Sequence, residues 1–365
     1  MVDDNSMQIL SHTGPYKVFF HADVAGAANQ IAPQGAYHLV IDRRVADLHG
    51  ASLQSLMAGA ASVLSLEATE SVKSLEEAPR LVAELSRAGI RRDHTLIAVG
   101  GGIIQDLTCF MASMLFRGMD WVFLPTTLLA QSDSCIGSKS SINAAGVKNL
   151  VGNFYPPRKI AIATEFLQTL DPRDVHSGVG EILKVHIIDG PVSFDLLAAS
   201  FDALFTDPAT MQRFVRNALE IKKKMVELDE FDRGPRMVMN YGHSFGHAIE
   251  AATEFAVPHG IAVTIGADMA NYVAVRMGRM DVGHFNRMHP TLRKNYRGFE
   301  DFPIPLVPML DALGRDKKNV GNDLVLILPD AAAKIERVRV TGGADFAAYC
   351  GDFIEKMRAS AGMAA

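Results

Sequence analysis

Five polar residues recur along residues 236–250, RMVMNYGHSFGHAIE: Arg236, Asn240, His243, His247 and Glu250, at spacings of 4, 3, 4 and 3. At about 100° per residue this spacing predicts one continuous helix with all five on a single stripe. The rest of its girth is Met237, Val238, Met239, Phe245, Ala248 and Ile249, so the helix is expected to be buried, and its polar stripe needs partners there. Two imidazoles one turn apart are either metal ligands or core histidines satisfied by neighbouring carbonyls. Gly242 and Gly246 lower helix propensity between them and point to a close backbone approach. His259, after Pro258 at the start of a further predicted helix, adds a donor; two histidines and one carboxylate would make a zinc site with an open position.

Glu181 is the leading candidate for that carboxylate. It lies one turn from Lys184 in the apolar helical stretch VGEILKVHII, where the alternatives are an internal ion pair or a bound metal. A helix over 208–229 carries Phe214, Ala218, Ile221 and Met225 as core and Lys222, Lys223 and Lys224 as a basic cluster.

The first half must position something different. Apolar strands are predicted at 37–41, 94–99, 121–124 and 159–164, with a helix between the first two at about 75–88, an alternation that implies a parallel sheet. The second strand runs into Gly100, Gly101 and Gly102 and then a helix. Such a turn lets the backbone approach a ligand while the helix N-terminus offers N–H groups to a pyrophosphate; a simple tight turn is the alternative. Asp42, ending its strand, is either an adenosine-ribose partner or a helix cap. Residues 128–143, LLAQSDSCIGSKSSIN, read as a polar loop; Asp133, Lys139 and, just beyond it, Lys148 suit it to a polyanion. The pattern changes to long helices at Asp171 and Pro172, which predicts an α/β domain over 1–170 and a mostly helical domain over 171–365.

The chain has 365 residues, 48% hydrophobic and 21% charged, enough for two cores. A net charge of −5 argues against a nucleic-acid surface. Three cysteines without CxxC pairing fit a reducing compartment, so the cytoplasm is expected. The acidic start MVDDNSMQIL does not read as a signal peptide, and no apolar run reaches membrane-spanning length.

The ordered motifs GGGIIQD, FRGMDWVFLPTTLLAQSDSCIGSK, KNLVGNFYPP, GEILK, NYGHSFGHAIE, PHG and DKK cover about two-thirds of the chain. This series resembles the 3-dehydroquinate synthases and related sugar-phosphate cyclases. The resemblance implies an N-terminal dinucleotide-binding α/β domain, a C-terminal helical metal-binding domain, an active site in the cleft between them and a homodimer. It implies Glu181, His243 and His259 as ligands of Zn²⁺ or Co²⁺. NAD contacts would come from Asp42, Glu70, Lys73, Gly101, Gly102, Asp106, Thr126, Thr127, Asp133, Lys148, Thr164 and Thr169. Lys139, Asn149, Asn240 and His247 would surround a substrate phosphate, with Arg117 reaching in from the partner subunit. Lys222 and Arg236 would hold a carboxylate, and Lys184 with Lys317 or Lys318 would complete the pocket. Ser138 and Asp232 depart from the family pattern, which has Gly and Glu there.

The implied reaction converts 3-deoxy-arabino-heptulosonate 7-phosphate to 3-dehydroquinate and phosphate. It proceeds by transient NAD-dependent oxidation, phosphate elimination, re-reduction and intramolecular aldol closure. The alternatives are a cyclase for another phosphorylated substrate (an amino analogue, sedoheptulose 7-phosphate or glucose 6-phosphate) and a metal-dependent polyol dehydrogenase. A binding protein that keeps only the NAD site is disfavoured by the charged groups retained in apolar helices.

Overall fold

The computed structural model describes residues 5–315, 319 and 323–363. They form two compact units, residues 1–171 with 222–231 and residues 172–221 with 232–365.

Unit 1 is built on strands β1 (Ser6–Ile9), β2 (Tyr16–His21), β3 (Tyr37–Asp42), β4 (Ser62–Leu66), β5 (Thr95–Gly100), β6 (Trp121–Pro125), β7 (Lys139–Ala144), β8 (Val147–Phe154) and β9 (Lys159–Ala163). Seven of them make one sheet in the order β1-β2-β9-β6-β5-β3-β4, parallel throughout except for the antiparallel edge pair β1–β2. Strands β3, β5 and β6 are almost wholly buried, as expected of continuous apolar runs covered on both faces. Helices α1 (Val24–Ile31), α2 (Arg43–His49), α3 (Gln54–Ala58), α4 (Ala78–Arg87) and α5 (Gly102–Met114) complete the unit.

The chain steps outward from β3 to β4 and then returns to the other side of β3 with β5, so strand order reverses between β3 and β5. Open parallel sheets bind ligands outside the carboxyl ends of their strands at such a reversal. Asp42 ends β3, and Gly100 ends β5 with Gly101 and Gly102 after it.

Residues 128–143 differ from the predicted loop. A π-helical turn, Ala130–Ser134, leads into the antiparallel hairpin β7–β8. Its serines, lysines and asparagines hid the hairpin: β8 is largely exposed, and the buried face of β7 begins with the polar Ser140 before Ile142 and Ala144, so apolar alternation is weak. The strands β1, β2 and β4 were likewise not anticipated, being short and at or near the sheet edges.

Unit 2 contains α6 (Pro172–Asp189), α7 (Pro191–Ala199), the start of α8 (Pro208–Leu228), α9 (His243–Ala252), α10 (His259–Arg276), α11 (Val282–Asn295), α12 (Leu306–Gly314) and α13 (Ala344–Asp352). One antiparallel pair, β10 (Asp323–Pro329) with β11 (Ile335–Thr341), joins them. Helix α10 is its axis, buried at every position from Gly260 to Ala274. It packs against α6 and α9 at glycines: a Cβ on Gly260 would stand 1.8 Å from the Ser177 carbonyl oxygen, and one on Gly242 2.6 Å from the Val263 carbonyl oxygen. The glycine signal around the histidines thus reports helices in backbone contact.

The predicted continuous helix over 236–250 is corrected. A 3₁₀ segment, Pro235–Asn240, ends at Tyr241; Gly242 turns left-handed at φ 76°, and α9 begins at His243. The crossing with α10 leaves no room for a side chain at Gly242, and glycine tolerates the positive φ that breaks the helix there. Only His243, His247 and Glu250 share a helical face.

Candidate active site

In unit 2, α6, α9 and α10 each bring one residue to a common point. Oε1 of Glu181 lies 3.5 Å from His243 Nε2 and 3.3 Å from His259 Nε2. Its other oxygen, Oε2, meets Lys184 Nζ at 2.5 Å, so the ion pair and the shared carboxylate, alternatives in sequence, coexist. His247, one turn beyond His243, puts a ring nitrogen within 4.8 Å of those of His243 and His259, although its side chain is exposed.

Electrostatics at this point favour a cation. Burial would raise the Glu181 carboxyl, but Lys184, His243 and His259 outweigh it and hold it well below the usual carboxylate range. Burial keeps His243 low, hence neutral and able to donate a lone pair. Burial pulls His259 down as well, yet its bonds to Glu181 and Glu250 raise it to about 10, so the surroundings stabilise positive charge there. One carboxylate and two imidazoles, three donors in all, are the chemistry of a zinc-type centre.

Two further groups orient the imidazoles. Glu250 Oε2 accepts from His259 Nδ1 at 3.1 Å, and the Tyr241 carbonyl is 3.3 Å from His243 Nδ1. The signal for Glu250 was its i+7 spacing from His243, but its partner on another helix was not visible in one dimension. Arg236, 4% exposed, and half-buried Asn240 sit on the 3₁₀ segment just before these ligands, with Asn240 Nδ2 donating to the Met237 carbonyl at 3.1 Å.

In unit 1, the carboxyl ends of β3, β5, β6 and β9 carry Asp42, Gly101 with Gly102, Thr126 with Thr127, and Thr164. The Gly101 backbone packs so tightly on Thr127 that a Cβ would lie 2.9 Å from its methyl carbon, whereas a Cβ on Gly102 would meet nothing within 4 Å. Gly102 starts α5, so its approach to the helix N-terminus is open. Asp42 caps α2 by accepting from Arg44 N at 3.0 Å. Thr169 bonds His49 Nε2 at 2.8 Å.

A second group gathers on α5 and the hairpin. Buried Lys73 donates to Asp106 at 3.2 Å and to Asn149 at 2.9 Å, and lies 3.8 Å from Glu70, which is equally near exposed Lys148. Burial pushes the Asp106 carboxyl up to about 6 despite Lys73. Lys222 pairs with Asp133 at 2.8 Å and with its backbone carbonyl at 2.7 Å. Lys139 opens β7 with an exposed side chain, and Arg117 is exposed in a turn at φ 66°. Lys317 and Lys318 lie outside the described residues.

The departing residue Ser138 has φ 65° and donates to Glu230 Oε1 at 2.5 Å. Glu230 also takes the backbone N–H of His12 at 2.7 Å and pairs with its Nδ1 at 3.0 Å. Sequence reading missed Glu230, which stands 92 residues from Ser138 and 218 from His12.

Residues 63–177 match the family described as 3-dehydroquinate synthase N-terminal, and residues 178–319 that described as 3-dehydroquinate synthase C-terminal. The chain belongs to the 3-dehydroquinate synthase family. Within that family, the 3-dehydroquinate synthase of Alkaliphilus metalliredigens is 33% identical over 306 residues, 83% of this chain and 86% of the relative. Two solved cyclases share the fold. The 2-epi-5-epi-valiolone synthase of Streptomyces hygroscopicus subsp. jinggangensis, with NAD⁺ and Zn²⁺ bound, is 25% identical at a TM-score of 0.83 over 93% of this chain and 97% of that one. A 2-deoxy-scyllo-inosose synthase complexed with carbaglucose-6-phosphate, NAD⁺ and Co²⁺ is 24% identical at 0.82, over 96% and 99%. This family member is a 3-dehydroquinate synthase-like cyclase, a carbon–oxygen lyase. Among the described residues, no helix is long and apolar enough to cross a membrane.

Proposed function

We propose that the protein converts 3-deoxy-arabino-heptulosonate 7-phosphate to 3-dehydroquinate and phosphate, using NAD and Zn²⁺ or Co²⁺. The observation that carries the substrate choice is Arg236, buried on the segment that leads through Asn240 to His243. A guanidinium offers a carboxylate two parallel N–H donors, a use that a neutral sugar phosphate lacks.

Glu181, His243 and His259 hold the metal, and the carboxyl edge of the unit 1 sheet, with Asp42, Glu70, Lys73, Asp106, Asp133, Lys148 and the glycine turn, holds NAD. When bound, the metal supplies Lewis acidity at the hydroxyl to be oxidised and NAD supplies a hydride acceptor that is restored within the turnover. The protein's own side chains do the rest. Lys139, Asn149, Asn240 and His247 bind the phosphate and stabilise its charge as it leaves, while Arg236 and Lys222 fix the carboxylate end and Lys184 keeps Glu181 ionised.

The enzyme works in the cytoplasm as a homodimer in which Arg117 completes the partner's phosphate site. Support for that assembly is the exposed apolar surface beside Arg117, where Met114 is 65% and Phe116 39% exposed.

The test measures phosphate release from the heptulosonate phosphate and from sedoheptulose 7-phosphate, for wild type and Arg236→Met. The expected loss of kcat/KM on the keto acid is about 2–5 kcal/mol. Preference for the neutral sugar, or indifference to Arg236→Met, defeats the assignment. Absorbance of NADH should show no sustained rise; stoichiometric NADH would instead mark a dehydrogenase.

A further inference from the structure

Unit 2 holds a cavity of about 490 Å³ that contains none of the site residues above. It is walled by α11, by the start of α6 and by the turn around Phe205. A volume of this size suits a small organic ligand rather than a bare ion.

Its walls combine basic groups and aromatic rings with two carboxylates, Asp202 and Glu300. Arg293 and Arg297, both on the lining, make no ion pair among the described residues, and Arg293 Nε is buried without a hydrogen-bond partner. At the floor, fully buried His289 faces acceptors on both sides, Asp268 Oδ2 at 2.7 Å and the Ser360 carbonyl at 3.2 Å. Satisfying both requires a proton on each ring nitrogen, so the floor is an imidazolium whose charge Asp268 balances. Lys294, by contrast, is taken by Asp202 at 2.8 Å. The two arginines are therefore the cations left for a ligand.

The same lining carries aromatic rings. The Phe205 ring, 38% exposed, packs on His176 at 4.5 Å between centroids and on Phe201 at 5.4 Å. A flat apolar body can lie on it while its anionic group reaches the guanidiniums.

We propose that this cavity is a second ligand site, for a small organic anion that carries a phosphate or carboxylate on a ring-sized apolar body. The lining residue His176, on α6, is tied to α10 by Asn295, whose Nδ2 donates to the His176 carbonyl at 3.1 Å and to Thr264 Oγ1 at 2.9 Å. Those two helices carry Glu181 and His259.

The experiment is calorimetric titration of the purified full-length enzyme with phenyl phosphate, benzoate and inorganic phosphate. Wild type should bind phenyl phosphate or benzoate, and the Arg293→Gln/Arg297→Gln variant should lose at least about tenfold in affinity with cyclase activity retained. Phe205→Ala should weaken the aromatic probes and leave inorganic phosphate unchanged, and Lys139→Met should leave probe binding here intact. No binding of either aromatic probe by wild type at about 10 mM, unchanged affinity in the double arginine variant, or loss confined to Lys139→Met overturns the proposal. Inorganic phosphate binding as tightly as phenyl phosphate removes the ring-sized ligand class. Binding is read without turnover, so the result stands apart from the identity of the cyclase substrate.

Discussion

Gly260 and Ser177 stand so close that a Cβ on Gly260 would lie 1.8 Å from the Ser177 carbonyl oxygen, while Ser177 Oγ accepts the Gly260 N–H at 2.9 Å. This contact sets the spacing of α6 and α10, the helices bearing Glu181 and His259. Because the neighbour is backbone, it cannot yield by changing rotamer. Gly260→Ala should cost about 3 kcal/mol or more and weaken metal binding together with it. An unchanged melting temperature and full metal content would dissociate the crossing from the site.

The donor set predicts an ordered loss of metal. His259→Ala should abolish stoichiometric metal and activity, whereas Glu250→Gln, which only alters how His259 is held, should lower metal affinity about 10–100-fold. Metal content by elemental analysis reads both. Full metal in His259→Ala would remove that residue from the centre.

Glu230 offers one carboxylate to three donors, Ser138 Oγ, His12 N and His12 Nδ1. Glu230→Ala leaves all three without it and should cost about 1–3 kcal/mol. Ser138→Gly loses one bond but relieves a left-handed backbone, so its stability should stay near wild type. Urea midpoints compare the two; equal losses would contradict the role of Glu230 as the shared acceptor.

Asp106 gives a pH signature. Its carboxyl is raised by burial from the ordinary 3.8 to about 6, so the folded chain holds that proton more tightly than the unfolded chain. Its contribution is therefore fully present below pH about 3.8 and is lost as pH rises through about 6. Asp106→Asn should flatten this part of the stability curve between pH 4 and 7. A slope unaltered by the substitution would assign the titration elsewhere.

Much of the local structure was legible because it lies in local patterns. Glycines at 100–102 between an apolar run and a helical one spelled strand, turn and helix, and β5 and α5 occupy those places. Pro258 followed by His259 marked the start of α10. Spacing misled at 236–250, where a pattern of period 3.6 cannot register the single left-handed residue, Gly242, that ends one segment and starts another.

The amino-acid sequence by itself determined which side chains are available, which segments bury an apolar face and which turns demand glycine, since these depend on neighbours within a few residues. Only the tertiary structure decided that Glu181 is shared by imidazoles 62 and 78 positions away, that Glu230 ties Ser138 to His12, and that β5 returns beside β3. Those relations arise from helix crossings at bare glycines and from strand order, where packing between distant segments selects the partner and local periodicity carries no record of it.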